Sequence, residues 1–351
     1  MKLVSKKIVI LFVLVLLVAA TGCSSNDSAG QSGAETIELK LAHFFPSTHP
    51  AETELIQPWA QAIEEATNGK VKITSYPGQT LLKADAVYDG VVDGVADMGL
   101  SCFAYTRGQF PVLEAFELPG ITYKNSKVAS KVAWEGVKKL NPEEIQDTKL
   151  MMILTTGPGD LFTKVPVHNL EDVQGLTIRA TVLSAKTLEQ IGATPVAMPQ
   201  SEAYEALSKG VVQGNLGPVE VLKGWKNAEV TDYVTQTPFL YNTLFFVTMN
   251  IDQWNSLSSD IQQAIEEVNK EYLEKVAMGL WDKQNEEALN YAVEEEGMEV
   301  ITLPDEEAEQ WIELVEPIQQ DFVARMNEKG LEGETILSTV KQLAEKYNQE
   351  Y

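Results

Sequence analysis

Short apolar runs alternate with helical patterns along almost the whole chain, and that rhythm limits the fold more than any other feature. Glu38 to His43 alternates polar and apolar residues, and a helical face of Leu55, Ile56, Trp59, Ala60 and Ile63 follows until Asn68-Gly69 stops it. Val71 to Tyr76 alternates again, Ala84 to Asp93 reads as helix, and Ala96 to Ser101 returns as a strand. Strands that alternate with helices call for a mainly parallel sheet covered by helices, which is an α/β fold. After a loop from Phe103 to Gly120, a helix near Asn125 to Leu140 and a strand Lys149 to Thr155, the run Thr156-Gly157-Pro158-Gly159 breaks the pattern, and a first crossover is expected there.

The rhythm then starts over. Leu176 to Ala180 and Thr194 to Ala197 read as strands, with a helix Leu183 to Ile191 closed by Gly192 between them. A helix from a cap at Ser201 to Lys209, closed by Gly210, leads into a strand Val211 to Leu216. About 315 residues follow the N-terminal region, more than one core usually holds, so two domains are expected. A strand Thr243 to Asn250 precedes one long helical stripe of Ile261, Ile265, Val268, Tyr272, Val276 and Leu280. A helix of roughly thirty residues there is long for a globular protein and suits a spine across both domains. A strand Glu299 to Leu303, a helix opened by Pro304-Asp305 that Pro317 should kink, and a helix Thr335 to Tyr347 complete the pattern.

The N-terminus has the anatomy of a signal peptide, 1–22: Lys2, Lys6 and Lys7 precede an unbroken apolar run from Ile8 to Ala20. Those thirteen residues fall short of the roughly 20 that cross a bilayer as a helix. Ala20-Thr21-Gly22-Cys23 resembles the bacterial lipobox, so Cys23 is expected to become an N-terminal cysteine carrying palmitate-type acyl chains, although Ala20 stands where Leu is more usual. The Gly/Ser-rich residues 23–35 then form a flexible tether. An extracytoplasmic, lipid-anchored protein is the expectation. Cys102 is the only other cysteine, which excludes a disulfide scaffold. Net charge is −24; without the leader, 24 Lys+Arg stand against 51 Asp+Glu, giving −27. Such a field repels nucleic acid and anionic lipid headgroups. An anionic ligand could be held only by a local cation that works against the whole.

Four stretches in register resemble one family. They are Lys40-Leu41-Ala42-His43 with His49-Pro50, Phe110 through Pro119, Leu170 through Arg179, and Glu205 through Gly214. Together they are similar to the solute-binding subunits of TRAP (tripartite ATP-independent periplasmic) transporters, the DctP-like family. The resemblance implies a two-lobed periplasmic-binding-protein-like α/β fold, with hinge strands and a long helix spanning both lobes. On this sequence, lobe I would take 36–156 plus 244–282, and lobe II 157–243 plus 283–351. It also implies a monomer that closes over a small organic carboxylate and delivers it to membrane permease subunits driven by an ion gradient.

The same resemblance assigns the carboxylate to the Arg that ends Gly175-Leu176-Thr177-Ile178-Arg179. Chemistry agrees independently: Arg179 ends a predicted parallel strand, where α/β folds open their crevices, and a guanidinium offers two parallel N–H donors that match a carboxylate. Four cleft positions that are polar in sialic-acid binders of the family fall here on Phe44, Cys102, Gly159 and Gly217, and Gln213 stands where an Asp is usual. A sugar acid would lose about 1 to 3 kcal/mol for each polar group left unpaired, so an aromatic or branched apolar monocarboxylate is expected instead. The two glycines should add volume. Phe44, Phe103, Tyr105, Pro158, Tyr241 and Phe245 are candidate walls, although aromatics at strand ends usually fill cores. Asn215 could bond a keto or hydroxyl group beside the carboxylate, and Trp225 is read as packing.

Motifs for nucleotide binding, hydrolysis, paired-cysteine zinc and calcium are missing, so neither catalysis, a cofactor nor a metal is expected. His43, His49 and His168 offer no zinc pattern, and acid runs such as Glu294-Glu295-Glu296 read as solvated faces. Three other readings remain open at this point: the binding subunit of an ATP-driven importer, a ligand sensor for a membrane receptor, and an anchored surface enzyme.

Overall fold

The computed structural model describes residues 36–106 and 108–351. The signal peptide, the tether and Cys23 lie outside the described residues. The region Thr36–Tyr351 holds two sheets. It opens with β1 (Ile37–His43), a π-helical turn at Ala51–Ile56 that runs into α1 (Gln57–Ala66), β2 (Val71–Tyr76), α2 (Val87–Val92) and β3 (Met98–Cys102). Then come α3 (Ser126–Leu140), capped by the Asn125 side chain, and β4 (Thr148–Thr155). The expected loop 103–120 contains two short 3-10 turns, Phe103–Tyr105 and Leu113–Glu117.

The chain then crosses over, as the Thr156-Gly157-Pro158-Gly159 break predicts. β5 (Gly159–Thr163), α4 (Leu170–Val173), β6 (Thr177–Ala180), α5 (Ser184–Gln190), β7 (Thr194–Ala197), α6 (Gln200–Ser208), β8 (Gly214–Pro218), α7 (Val221–Gly224) and β9 (Tyr233–Gln236) build the second sheet. Returning, the chain forms β10 (Leu244–Asn250), α8 (Ile251–Ser256), α9 (Ser259–Lys275), α10 (Leu280–Glu294), β11 (Glu299–Thr302), α11 (Asp305–Val315), α12 (Pro317–Glu328) and α13 (Gly333–Glu350). Strand order is β2-β1-β3-β10-β4 in one sheet and β11-β9-β5-β8-β6-β7 in the other. Each sheet is parallel except for one strand delivered by a crossing: β10 runs antiparallel to β3 and β4, and β5 antiparallel to β8 and β9.

Several expectations need correction. The strand read as Val211 to Leu216 begins only at Gly214, because Val211 and Val212 are still turning out of α6 through bonds to Ala206 O. Ser201 lies inside α6 rather than capping it, after Pro199. The sequence pattern does not predict β5 or β9; β5 begins directly at the Gly157-Pro158-Gly159 break. The long helix is two helices: Val276 leaves helical geometry at φ −123° and ψ −63°, a tight turn Ala277–Gly279 follows, and α10 resumes. α9 packs on α1 and β4, whereas α10 packs on α7 and α3, so the stripe reaches both sheets across a joint. Pro317 starts α12 instead of kinking a longer helix, a position that needs no backbone donor. Finally, α13 lies along α3, beside the first sheet, although the sequence assigns it to lobe II.

The two crossing segments are tied side by side. Thr156 N–H donates to Thr243 O at 3.1 Å, Gly159 N–H to Tyr241 O at 3.1 Å, and Thr243 N–H to Thr156 Oγ1 at 3.2 Å. Gly157, at φ 73°, makes the bend, and a Cβ there would sit 2.6 Å from Ser126 N. Neither the dihedral nor the neighbouring backbone tolerates a side chain. Gly157→Ala should therefore lose at least about 1 kcal/mol of stability, seen as a lowered thermal midpoint; an unchanged midpoint would show that the bend relaxes freely.

One buried carboxylate, Asp160, and two half-buried ones, Glu117 and Glu144, accept backbone N–H groups. Glu117 takes Leu244 N–H at 2.8 Å, Asp160 takes Thr237 N–H at 2.7 Å, and Glu144 takes those of Val112 and Leu113 at 3.0 and 2.9 Å. Burial nevertheless dominates, pushing Glu117 up to about 8, Glu144 to about 7 and Asp160 to about 6. A carboxyl raised in the folded state keeps its proton where the unfolded chain has lost it. Its contribution is complete at low pH and disappears as pH rises through the folded value. Between about pH 5 and pH 8, then, Glu117→Gln should lose less stability with rising pH than the parent does. Parallel curves in thermal melts across that range would overturn this.

Candidate functional site

The crevice is built where strand ends of the two sheets face each other. From the first sheet come Phe44 and Phe45, just past β1, Cys102 at the end of β3, Tyr105 in the following turn, and Phe245 on β10, which the register sets opposite Cys102. From the second come Arg179 on β6, Pro218 at the end of β8, Gln200 opening α6, and Glu220, Val221 and Trp225 around α7. Thr156 and Tyr241, from the two crossing segments, close the back. The free cavity between these walls is only about 20 Å³, room for about one water, so a ring-sized ligand enters only if the two halves move apart. Larger hollows elsewhere, such as one of about 840 Å³ along α1 and β2, are open and lined by solvated residues including Glu64, Glu65 and Lys72.

Arg179 is only 1% exposed. The parallel register pairs it with Asn215 on β8, whose Oδ1 accepts from Nη1 at 3.3 Å, and its Nε–H donates to Met198 O at 2.9 Å. Nη2 has no partner among the described residues, and no carboxylate there forms an ion pair with the guanidinium. Asn215, fully buried, is itself fixed: its Nδ2 donates to Asn227 Oδ1 at 2.8 Å and Gln200 Oε1 at 3.2 Å. The side chain is thus aimed by three polar neighbours that the sequence did not single out as a group, Gln200, Asn227 and the Met198 carbonyl. Only Asn215 was legible, and its amide serves the arginine instead of facing a ligand.

Two phenols lie in the same crevice. Burial pushes both Tyr105 and Tyr241 far above their ordinary range against the opposing pull of Arg179, so both hydroxyls keep their protons. Burial likewise pushes the Cys102 thiol up, leaving it a small neutral wall. Aromatic rings fill the remainder: Phe44 stacks on Phe45 at 4.4 Å and on Trp225 at 5.9 Å, meets Tyr105 edge-on at 5.4 Å, and lies 6.3 Å from Phe245. Trp225, read from sequence as packing, forms a wall of the crevice.

Of the candidate residues, Arg179, Phe44, Tyr105, Tyr241 and Phe245 come together here. Phe103 and Pro158 do not. Phe103 packs against Tyr88, Phe110 and Phe246, one strand face away, and Pro158 lines an outer hollow with Asn125, Asp160 and Asp282. Period-two alternation explains the first miss, since Phe245 and Phe246 are neighbours on opposite faces of β10. Gly159 adds no cavity volume either: a Cβ would lie 2.5 Å from Gly217 O, so glycine permits the close approach of β5 to β8. Gly217, by contrast, would meet nothing nearer than Asn215 Nδ2 at 3.5 Å.

Three contacts join the two halves beside the crevice. Gln200 N–H donates to Tyr105 Oη at 3.1 Å, Gln79 Nε2 to Ser201 Oγ at 3.2 Å, and His49 bonds Glu220 Oε2 through Nε2 at 3.0 Å. His43 has its own buried partner, Glu52, at 2.8 Å. The His43 and His49 side chains therefore each meet a single carboxylate, and among the described residues no group of three His, Cys, Asp or Glu side chains could hold a metal. No helix among them is long and apolar enough to cross a membrane.

Comparison with known proteins fits this geometry. A C4-dicarboxylate-binding periplasmic protein DctP from Rhodobacter capsulatus is 27% identical over 325 residues, 90% of this chain and 94% of the relative. The crystal structure of a TRAP solute-binding protein from Rhodoferax ferrireducens, in complex with copurified benzoate, superposes with a TM-score of 0.84 at 26% identity, covering 90% of this chain and 99% of that one. A marine-metagenome TRAP solute-binding protein specific for aromatic acid ligands, in complex with 3-hydroxybenzoate, is 31% identical with a TM-score of 0.84, covering 89% and 99%. The profile of bacterial extracellular solute-binding proteins, family 7 (DctP), matches residues 41–326. This chain therefore belongs to that family, the TRAP solute-binding proteins, whose members bind solutes rather than transform them.

Proposed function

We propose that the protein captures an aromatic or branched apolar monocarboxylate in the crevice between its lobes and hands it to an ion-gradient-driven TRAP permease. In this reading Cys23 tethers a monomer to the outer face of the membrane through its acyl chains, and residues 24–35 give it reach. One observation carries the ligand class: a guanidinium 1% exposed, with Nη2 unpaired and no ion pair to a carboxylate among the described residues. A charge taken out of water demands a counter-charge, and a ligand carboxylate supplies it with matched geometry. The protonated Tyr105 and Tyr241 hydroxyls give the carboxylate further polar neighbours, and Phe44, Phe245 and Trp225 accept an apolar body. Benzoate and 3-hydroxybenzoate in the two related structures support the same class.

A C4-dicarboxylate, the ligand in the name of the Rhodobacter relative, is disfavoured. Its second carboxylate would need a second cation, and Arg179 is the only Arg or Lys lining the crevice among the described residues. Two membrane-subunit genes beside this one without an ATPase gene would decide for this reading over an ATP-driven importer, and loss of uptake on gene deletion would decide for it over a sensor.

Thermal shifts with benzoate, phenylacetate, a branched-chain keto acid, succinate and a sialic acid test the proposal on protein lacking residues 1–23. At a hundredfold excess over Kd, the aromatic or branched acids should stabilise by about 2.7 kcal/mol, a rise of several degrees. Succinate and the sugar acid should give none. Arg179→Lys keeps the charge but not the fork, so it should fold and yet bind at least about thirtyfold more weakly. A panel in which only sugar acids or small hydroxylated acids bind would sink the reading.

A further inference from the structure

Arg179 is not the only charged side chain facing the crevice. Glu220, the residue two past β8, lines it as well, is 4% exposed, and forms no ion pair with Arg179. The two are anchored separately: Arg179 by Met198 O and Asn215, Glu220 by His49, which lies against Phe45 at 4.6 Å and Trp225 at 5.6 Å between ring centroids. The crevice therefore presents one cation and one anion, each held by its own neighbours, among aromatic walls.

The anion is held with care. Ala51 N–H donates to His49 Nδ1 at 3.1 Å, so Nδ1 is the bare nitrogen and Nε2 carries the hydrogen that goes to Glu220 Oε2. Gly224 makes room for the pair: a Cβ there would lie 2.7 Å from Glu220 Oε2 and 2.9 Å from His49 Nε2. Glu220 N–H is pinned in turn by Asn285 Oδ1 at 2.9 Å. One carboxylate oxygen is thus occupied from across the lobes, whereas Oε1 accepts no hydrogen bond from a described residue. An anionic ligand that closes the crevice removes water from Oε1 and brings a like charge towards it. Only a donor on the ligand offsets both effects.

We propose that Glu220 is a specificity-determining residue: its Oε1 accepts a hydrogen bond from a hydroxyl or amino group on the apolar body of the ligand, while His49 holds the other oxygen. This rests on the carboxylate reading above and narrows it from aromatic acids to aromatic acids carrying a ring donor. It also makes closure and selection one event, because His49 belongs to the first lobe and Glu220 to the second.

Titration calorimetry with benzoate, the three hydroxybenzoates and the three methoxybenzoates is the test. At least one hydroxybenzoate should bind about tenfold or more tighter than both benzoate and its methoxy counterpart, which has an oxygen but no donor. In Glu220→Gln, His49 Nε2–H still claims the side-chain oxygen, so the amide must turn its NH2 to the crevice. That variant should lose the hydroxyl preference over benzoate by about tenfold. Equal binding of hydroxy and methoxy compounds by the parent protein overturns the inference, whether or not the variant folds, as does a variant with an unchanged preference. Benzoate binding without any preference defeats this inference alone, whereas failure of every aromatic acid to bind defeats the carboxylate reading with it.

Discussion

A buried guanidinium that forms no ion pair among the described residues is the constraint around which the rest is arranged. In a protein of net charge −24, a lone cation could easily have been quenched by one of the many acids. Instead its nearest partners are a carbonyl, Met198 O, and an amide, Asn215 Oδ1, which orient it without neutralising it. Asn215 is held by Gln200 and Asn227, and Gln200 reaches the opposite lobe through Tyr105. The orientation of one side chain is thereby linked to the relative position of two sheets. Preorganisation of this sort lowers the cost of ordering on binding, which is where affinity for a small acid is usually lost.

The sequence disclosed the architecture well because its signals are local. Alternating strands, glycines that close helices at Gly192 and Gly210, and the break at Thr156–Gly159 each depend on residues within a few positions of one another. Arg179 was legible for the same reason, ending a strand in a recognisable run. What escaped depends on distance in space. β5 opens on the break itself, where Gly157-Pro158-Gly159 signals a loop, and the joint at Val276 lies inside an apolar stripe that looks unbroken. Whether Phe103 or Phe245 enters the crevice is a matter of which face of a sheet each occupies. The partners His49 and Glu220, 171 residues apart, share no local pattern at all.

Closure and recognition use the same atoms to an unusual degree. Tyr105 walls the crevice and also receives the Gln200 N–H from the other lobe, and Tyr241 walls it while its carbonyl ties the two crossing segments together. The hinge is accordingly not remote from the ligand but forms the back of its enclosure. Any solute that repositions Tyr241 acts on the pivot directly, with no long relay of side chains between site and motion.

The position of β10 has a consequence for how such a chain can acquire its shape. This strand is laid down after the entire second sheet apart from its edge strand β11, yet it occupies the interior of the first, between β3 and β4. Until residue 250 is available, β3 and β4 have no common neighbour and the first sheet is split in two. Neither half can mature early and wait for the other, and pairing at such sequence separation is slow. A polypeptide built this way stays open until nearly all of it has been delivered, a property suited to threading through a membrane before folding on the far side.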